Sequence, residues 1–298
     1  MNINFDKKSD LIQIIAPAGG LENHQQVLQT ALEILSAYDF KVKINTPLMT
    51  KQKLAFYAND LESRINDFIN AIDDPSVRII WSFRGGYGSS EVAHAALGLN
   101  ITSPKILIGF SDITALHVFF NQQYLIPSIH GNNIHAITSE PNTLNPILEI
   151  LSGSCAKIPL QSLNTEHCEK IQGIIVGGNL TLLQSLIGTK MHPNFDDKIL
   201  IIEDVNEPGY KIMRILMQMH YAGMLQKLKA VVIGDFTGPA SDNITTLEYF
   251  FHHYYKTPTF IIKGFGHGLV NIPIPLGSQC ILHKQQMIIY SPFTLEAS

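Results

Sequence analysis

Apolar residues recur along this chain with two periods, and the way the periods alternate predicts the architecture. Short apolar runs suited to buried strands occur at LIQIIAP (11–17), KVKINTP (41–47), VRIIWSF (77–83) and KILIGF (105–110). Between them lie segments of helical spacing. Residues 23–37 carry Val27, Leu28, Ala31, Ile34 and Leu35 on one stripe, and residues 51–72 carry Leu54, Tyr57, Ala58, Leu61, Ile65, Phe68, Ile69 and Ile72. A further helix is expected near 89–97, and GFSDIT (109–114) opens an apolar-patterned segment running towards Tyr124. Strands joined by crossover helices predict a parallel sheet covered on both faces.

The rhythm loosens between about 125 and 170, where Pro127, Pro141, Pro146 and Pro159 interrupt it. Beyond that, strand-like IQGIIVGG (171–178), KILIIEDV (198–205), KAVVIGDF (229–236) and PTFIIKGF (258–265) alternate with helices near 208–222 and 245–255. A strand pair, CILHKQQMIIYSP, follows near the end. These patterns predict an α/β protein with one domain over 1–150, a linker over 151–169 and a second, mixed and strand-rich domain over 170–298.

Composition narrows the partners. The chain has 298 residues, 45% apolar and only 15% charged, enough apolar material for two cores. Net charge is −4 and no run of one sign occurs, which argues against a nucleic-acid groove or an anionic membrane surface. No apolar stretch approaches the length of a membrane span, and the expected setting is the cytoplasm. Cys155, Cys168 and Cys280 form no CxxC pair, so neither a disulfide framework nor a thiolate metal site is expected.

Candidate chemistry gathers at three turns, each following a strand, where ligands of open α/β sheets collect. In FRGGYGSS (83–90), Gly85, Gly86 and Gly88 allow the backbone to offer N–H groups to an anion or oxyanion, while the spacing fits neither a P-loop nor GxGxxG. In GFSDIT, Ser111 is either a nucleophile lifted off the sheet edge or a helix cap. In GFGHGLVNIPIPLG (264–277), His267 lies between two glycines and can serve as a base. An acid for it ends KILIIEDV: Glu203 and Asp204 point to opposite faces by strand parity, so one of them faces the site, unless a structural ion pair with Lys211 or Arg214 uses it. HGNNIH (130–135) and His252-His253 have no zinc spacing, and no metal is expected.

Several spaced motifs in order carry a resemblance over nearly the whole chain: IAPAG, RGGYG (84–88), GFSDITALH (109–117), HG (130–131), GGNL (177–180), EDVNEPGYKIMRIL (203–216) and GHGLVNIPIPLG (266–277). The sequence resembles the LD-carboxypeptidase family of serine peptidases, which includes muramoyltetrapeptide carboxypeptidases and microcin-immunity peptidases. The resemblance implies a Rossmann-like N-terminal domain that supplies the nucleophile and a smaller C-terminal domain that supplies the acid and base. It implies a Ser111-Glu203-His267 triad, with backbone amides of Asp112 and Gly86 as oxyanion donors. Arg84 and Gly85 become candidate substrate contacts, Arg84 as carboxylate donor or as a pin for its own loop. It further implies no cofactor, a homodimer, and removal of D-alanine from murein tetrapeptides; hydrolysis of an acyl-adenylate toxin and non-catalytic peptide binding stay open. Asn132 stands where the family often has proline, Met213 where many relatives carry aspartate, and Ser89-Ser90-Glu91 lacks an arginine often seen there.

Overall fold

The computed structural model describes residues 2–164, 170–238 and 242–296. In chain order the first half contains β1 (Ile3–Asp6), β2 (Leu11–Ile15), α1 (His24–Ser36), β3 (Lys41–Lys43), α2 (Leu61–Asp73), β4 (Val77–Ser82), α3 (Ser89–Ala95), β5 (Ile106–Gly109), α4 (Thr114–Val118), β6 (Ser128–His130), α5 (Ile134–Ser139) and α6 (Leu144–Leu151). Then follow β7 (Ala156–Pro159), β8 (Gln161–Ser162), β9 (Ile171–Asn179), α7 (Leu180–Ser185), β10 (Lys198–Val205), α8 (Gly209–Tyr221), β11 (Ala230–Thr237) and α9 (Asn243–His253). The chain closes with β12 (Thr259–Ile261), β13 (Ile274–Leu276), β14 (Ser278–His283), β15 (Gln286–Ile289) and β16 (Phe293–Glu296).

Two main sheets result. The first has six strands in the order β13-β6-β5-β4-β2-β3, parallel except for β13. The second has eight in the order β7-β15-β14-β9-β10-β11-β12-β8, with a parallel centre and antiparallel edges. The architecture is therefore the mixed α/β fold that the two periods predict.

Two local expectations change. The stretch 151–169, expected as a linker, contributes β7 and β8 to the two edges of the second sheet, because Ile158 and Leu160 are buried in that sheet's core. The helix expected over 51–72 begins only at Leu61, where Asp60 caps it by accepting from the Ser63 amide. Residues 51–58 instead form a loop closed by the Ala58 amide on the Ala18 carbonyl and the Thr50 amide on the Ala58 carbonyl. Those tertiary bonds override the local period, and Leu54 and Phe56 end up exposed. Of the cysteines, Cys155 is exposed, Cys280 is buried with its thiol pushed up to about 12 by that burial, and Cys168 lies outside the described residues.

The halves are woven together. β1 pairs with β16, and β13 crosses from the second half to pair antiparallel with β6. One apolar core runs through both sheets, joining Ile113 and Leu116 to Val176, Leu180 and Ile202. At this seam the Asn179 amide donates to Thr114 Oγ1 at 2.9 Å. Gly178 permits the approach, since a Cβ there would come within 2.6 Å of that hydroxyl.

Candidate active site

The apolar β5 ends at Gly109, and the chain must turn at once to enter α4. Ser111 makes this turn at φ +66°, a left-handed conformation that costs a non-glycine residue about 1–2 kcal/mol. It persists because its flanks are fixed. Asn133 Oδ1 accepts from the Phe110 amide at 3.3 Å and from the Ser82 hydroxyl. Buried His117 donates through Nε2 to the Gly109 carbonyl at 2.9 Å and accepts through Nδ1 from Ser128 at 2.7 Å. Burial pushes His117 down to about 4, so it is neutral and structural. Neither the turn Ser111–Ile113 nor α4 has a side-chain cap bond, so Ser111 is not held there as a cap.

Asp112 turns away from the cleft. Its Oδ2 accepts from the Ser89 amide at 2.8 Å, and its carbonyl accepts from the Ser89 hydroxyl, which fixes α3 against the turn. Burial raises its carboxyl to about 6. The Ile113 amide of this turn donates to the Phe110 carbonyl, while the Asp112 amide has no acceptor among the described residues and is available to a ligand.

The glycine loop lies against this turn. A Cβ on Gly85 would sit 3.0 Å from the Ser111 Cβ and 3.2 Å from its Oγ, so the absent side chain is the space the serine occupies. The Gly85 carbonyl accepts from the Gly19 amide at 3.0 Å. Gly86, exposed at φ +112°, has an amide with no acceptor among the described residues. Arg84 is exposed, and its Nη1 donates to the Gly20 carbonyl at 2.8 Å, which is the pinning role.

The acid and base come from the second half. Glu203 and Asp204 lie near the end of β10, and pleat parity separates them. Asp204 accepts from Asn179 Nδ2, the Thr181 amide and hydroxyl, and the Val205 amide, holding the β9–α7 turn. Glu203, fully buried, accepts from His267 Nδ1 at 2.7 Å. Lys211 pairs with Glu207 and Arg214 lies over Tyr210, so neither uses Glu203. Burial raises the Glu203 carboxyl above its usual range, opposed by the His267 bond. For His267, burial disfavours the imidazolium, but the adjacent Glu203 carboxylate outweighs it and the net shift is upward. Gly266, at φ +113°, makes the pairing possible, because a Cβ there would meet Glu203 Oε2 at 2.5 Å.

His267 sits where the chain passes from β12 in one sheet to β13 in the other, and its loop is anchored on every side. The Gly264 amide donates to the Asp235 carboxylate, Thr237 Oγ1 donates to the His267 carbonyl at 3.3 Å, and the Ile272 amide closes on the Gly264 carbonyl at 2.5 Å. The Gly266 amide donates to Asn271 Oδ1 at 3.1 Å, and Asn271 Nδ2 donates to Asn132 Oδ1 at 3.0 Å. The residue in the family's proline position is thus a strut from the serine half to the histidine loop. Sequence reasoning missed this role; the pair NN at 132–133 beside a strand end was its only signal.

The imidazole reaches the serine turn through Phe110, whose ring centroid is 4.9 Å from that of His267. Ser111 Oγ makes no direct hydrogen bond to His267 in this state, a looseness common before substrate binds. His130 is buried nearby, its ring 6.0 Å from Phe110 and 4.3 Å from Phe265, its nitrogens without hydrogen-bond partners among the described residues and its pKa held well below the usual imidazole range by burial. Among the described residues no group of three His, Cys, Asp or Glu side chains is arranged to hold a metal ion. No helix among them is long and apolar enough to cross a membrane.

Comparison with known proteins agrees with this layout. Residues 12–131 match the profile of the LD-carboxypeptidase N-terminal domain, and residues 172–282 that of the C-terminal domain. A putative carboxypeptidase of Rickettsia conorii is 32% identical over 90% of this chain and 86% of its own. The murein tetrapeptide carboxypeptidase of Pseudomonas aeruginosa is 29% identical over 93% of this chain and 94% of its own. Among solved structures, muramoyltetrapeptide carboxypeptidase from Oxalobacter formigenes superposes with a TM-score of 0.75 at 25% identity, covering 93% of this chain and 98% of that one. An MccF-like protein from Bacillus anthracis shares the fold at TM-score 0.81 and 22% identity, over 95% and 97%. With both domain profiles matched in order across most of its length, the chain belongs to the LD-carboxypeptidase family.

Proposed function

We propose that this protein is a serine LD-carboxypeptidase that releases the terminal D-alanine of murein tetrapeptides, as a cytoplasmic homodimer acting on recycled wall fragments. The observation that carries the reading is the Glu203–His267 pair, its imidazole packed against Phe110, the residue before a serine held at positive φ.

In this mechanism Ser111 Oγ forms a bond to the scissile carbonyl carbon while His267 Nε2 takes the hydroxyl proton. Glu203 holds the imidazole by its Nδ1–H and stabilises the imidazolium. The carbonyl oxygen, now anionic, accepts from the amides of Gly86 and Asp112. Collapse breaks the C–N bond, and His267 returns its proton to the departing D-alanine amine. Water, deprotonated by the same imidazole, then hydrolyses the acyl-enzyme. Arg84, with one guanidinium nitrogen on Gly20 and no other partner among the described residues, is the candidate donor to the terminal carboxylate.

The toxin-hydrolysing alternative needs an aromatic ring to stack on a base, and Trp81 cannot serve. It is fully buried and its Nε1 donates to the Asn132 carbonyl at 2.9 Å. The test is to incubate the protein with defined tetrapeptides and measure D-alanine. Release by wild type that disappears in Ser111→Ala and withstands chelators supports the proposal; release that persists in Ser111→Ala overturns the nucleophile, and binding without release favours a peptide-binding role.

A further inference from the structure

Beside the glycine loop lies an aromatic group that the proposed chemistry does not use. Tyr87, the residue after Gly86, and Phe56, on the loop 51–58, are each about half exposed. Their rings meet edge to face at 5.5 Å, and Tyr57 packs against both, at 4.6 Å from Phe56 and 5.8 Å from Tyr87. Large aromatics exposed together remove apolar area from no core, so their placement needs a reason.

The group is held rigidly. Buried Arg64 lies over the Tyr57 ring at 4.3 Å, donates to the Gly88 and Pro17 carbonyls, and pairs with Glu91 at 2.6 Å. The Tyr57 hydroxyl donates to Glu91 at 2.7 Å, and that bond pushes the phenol up to about 12. The two charges of the group, Arg64 and Glu91, therefore pair with each other beside the rings. What faces outward is two ring surfaces and the Tyr87 hydroxyl, which has no partner among the described residues. Such a surface does not suit a carboxylate. It suits a ring with apolar C–H faces and hydroxyls at its rim.

We propose that Phe56 and Tyr87 form a sugar subsite that stacks the N-acetylmuramoyl pyranose of a muramoyl peptide. This rests on the carboxypeptidase reading and extends it. In a muramoyl tetrapeptide three amino acids separate the scissile bond from the sugar, a reach of roughly 10 Å at ~3.3–3.6 Å per extended residue. Tyr87 follows the proposed oxyanion donor Gly86 by one Cα step, about 3.8 Å, and the Tyr87 and Phe56 ring centroids lie 5.5 Å apart, so the pair falls within that reach. D-alanine, the leaving group, is too small to need such a platform. The loop 51–58, tied to Ala18, packs beside the glycine loop, the Phe56 carbonyl lying 3.4 Å from where a Gly19 Cβ would be and the Gly85 carbonyl 2.9 Å from the same point.

The experiment compares kcat/KM for the free tetrapeptide and the same peptide bearing N-acetylmuramic acid. Wild type is expected to favour the muramoyl peptide, and Phe56→Ala or Tyr87→Ala to reduce that ratio about three- to tenfold, the effect of one lost ring contact. Tyr87→Phe should retain the ratio, Tyr87→Leu should lose it, and Tyr221→Ala, a distant exposed tyrosine, should leave both substrates unaffected. A wild-type ratio near one, or a ratio unchanged in both alanine variants, overturns the subsite. So does loss of turnover of an aminoacyl sulfamoyl adenosine in those variants without change in the muramoyl ratio, since the platform would then serve a base. If neither peptide is cleaved, the activity proposal fails separately. Calorimetry of N-acetylmuramoyl-L-alanyl-D-glutamate, which lacks the scissile bond, against Ser111→Ala with and without Tyr87→Ala then decides the subsite alone: weaker binding without the ring supports it, and equal binding rejects it.

Discussion

The glycine loop 84–88 and the histidine loop 264–268 have nearly the same makeup and opposite construction. Both follow a strand, and both use glycine at positive φ, Gly86 and Gly88 in one, Gly264 and Gly266 in the other. In the histidine loop the amides of Gly264 and Gly266 are already committed to Asp235 and Asn271. In the glycine loop exposed Gly86 has an amide with no acceptor among the described residues. One loop is preorganised to hold a side chain still; in the proposed mechanism the other keeps the Gly86 amide for a charge that appears only during reaction. Glycine content alone does not distinguish these roles. The supply of neighbouring acceptors does.

Perturbing each loop separately tests the contrast. The largest effect is expected at the shared centre: Ser111→Ala should lower kcat about 10⁴- to 10⁶-fold with the fold retained, read by D-alanine release and circular dichroism. Next, Glu203→Gln should reduce kcat/KM about 10²- to 10⁴-fold by analogy with other triads. It should also move the acid limb of the pH profile downward. The sign follows because the Glu203 carboxylate raises the His267 pKa, activity requires neutral His267, and without the carboxylate the imidazole loses its proton at lower pH.

In the receiving loop, Gly86→Ala forces an alanine to φ +112° with its Cβ 3.1 Å from the Gly19 Cα. A misplaced oxyanion donor should lower kcat about 10²- to 10³-fold with a small change in KM. In the holding loop, Asn271→Ala leaves the buried Gly266 amide without an acceptor and should cost about 1–3 kcal/mol of stability, measured by denaturant unfolding. Asn132→Ala removes only the outer strut and should cost less. Equal stability losses for Gly86→Ala and Asn271→Ala, or equal kcat losses, would erase the distinction. A small change in stability, of opposite sign, is expected for Ser111→Gly, which relieves left-handed strain and should raise stability by roughly 0.5–1 kcal/mol while losing activity as Ser111→Ala does.

Much of this was legible in the chain. The change from one strand-helix rhythm to a second, mixed one predicts the two sheets, because burial imposes a period on any strand or helix. Ser111 lies just past the end of β5, Glu203 near the end of β10 and His267 in the glycine-rich loop after β12, and strand parity separates Glu203 from Asp204 without any structure. The pattern failed where tertiary bonds overrode local period. Residues 51–58 have helical spacing and form a loop tied to Ala18, and Ile158 and Leu160 sit in a proline-interrupted stretch yet build sheet edges.

By itself the sequence determined which residues carry reactive groups and on which kind of turn each lies, since those follow from residue type and local backbone preference. Only the tertiary structure decided which of these groups meet. The passage of the chain from β12 to β13 brings His267 to the seam, and the Asn132–Asn271 contact spans 139 positions. Contacts between residues so far apart depend on how whole elements pack, and local patterning carries no record of that.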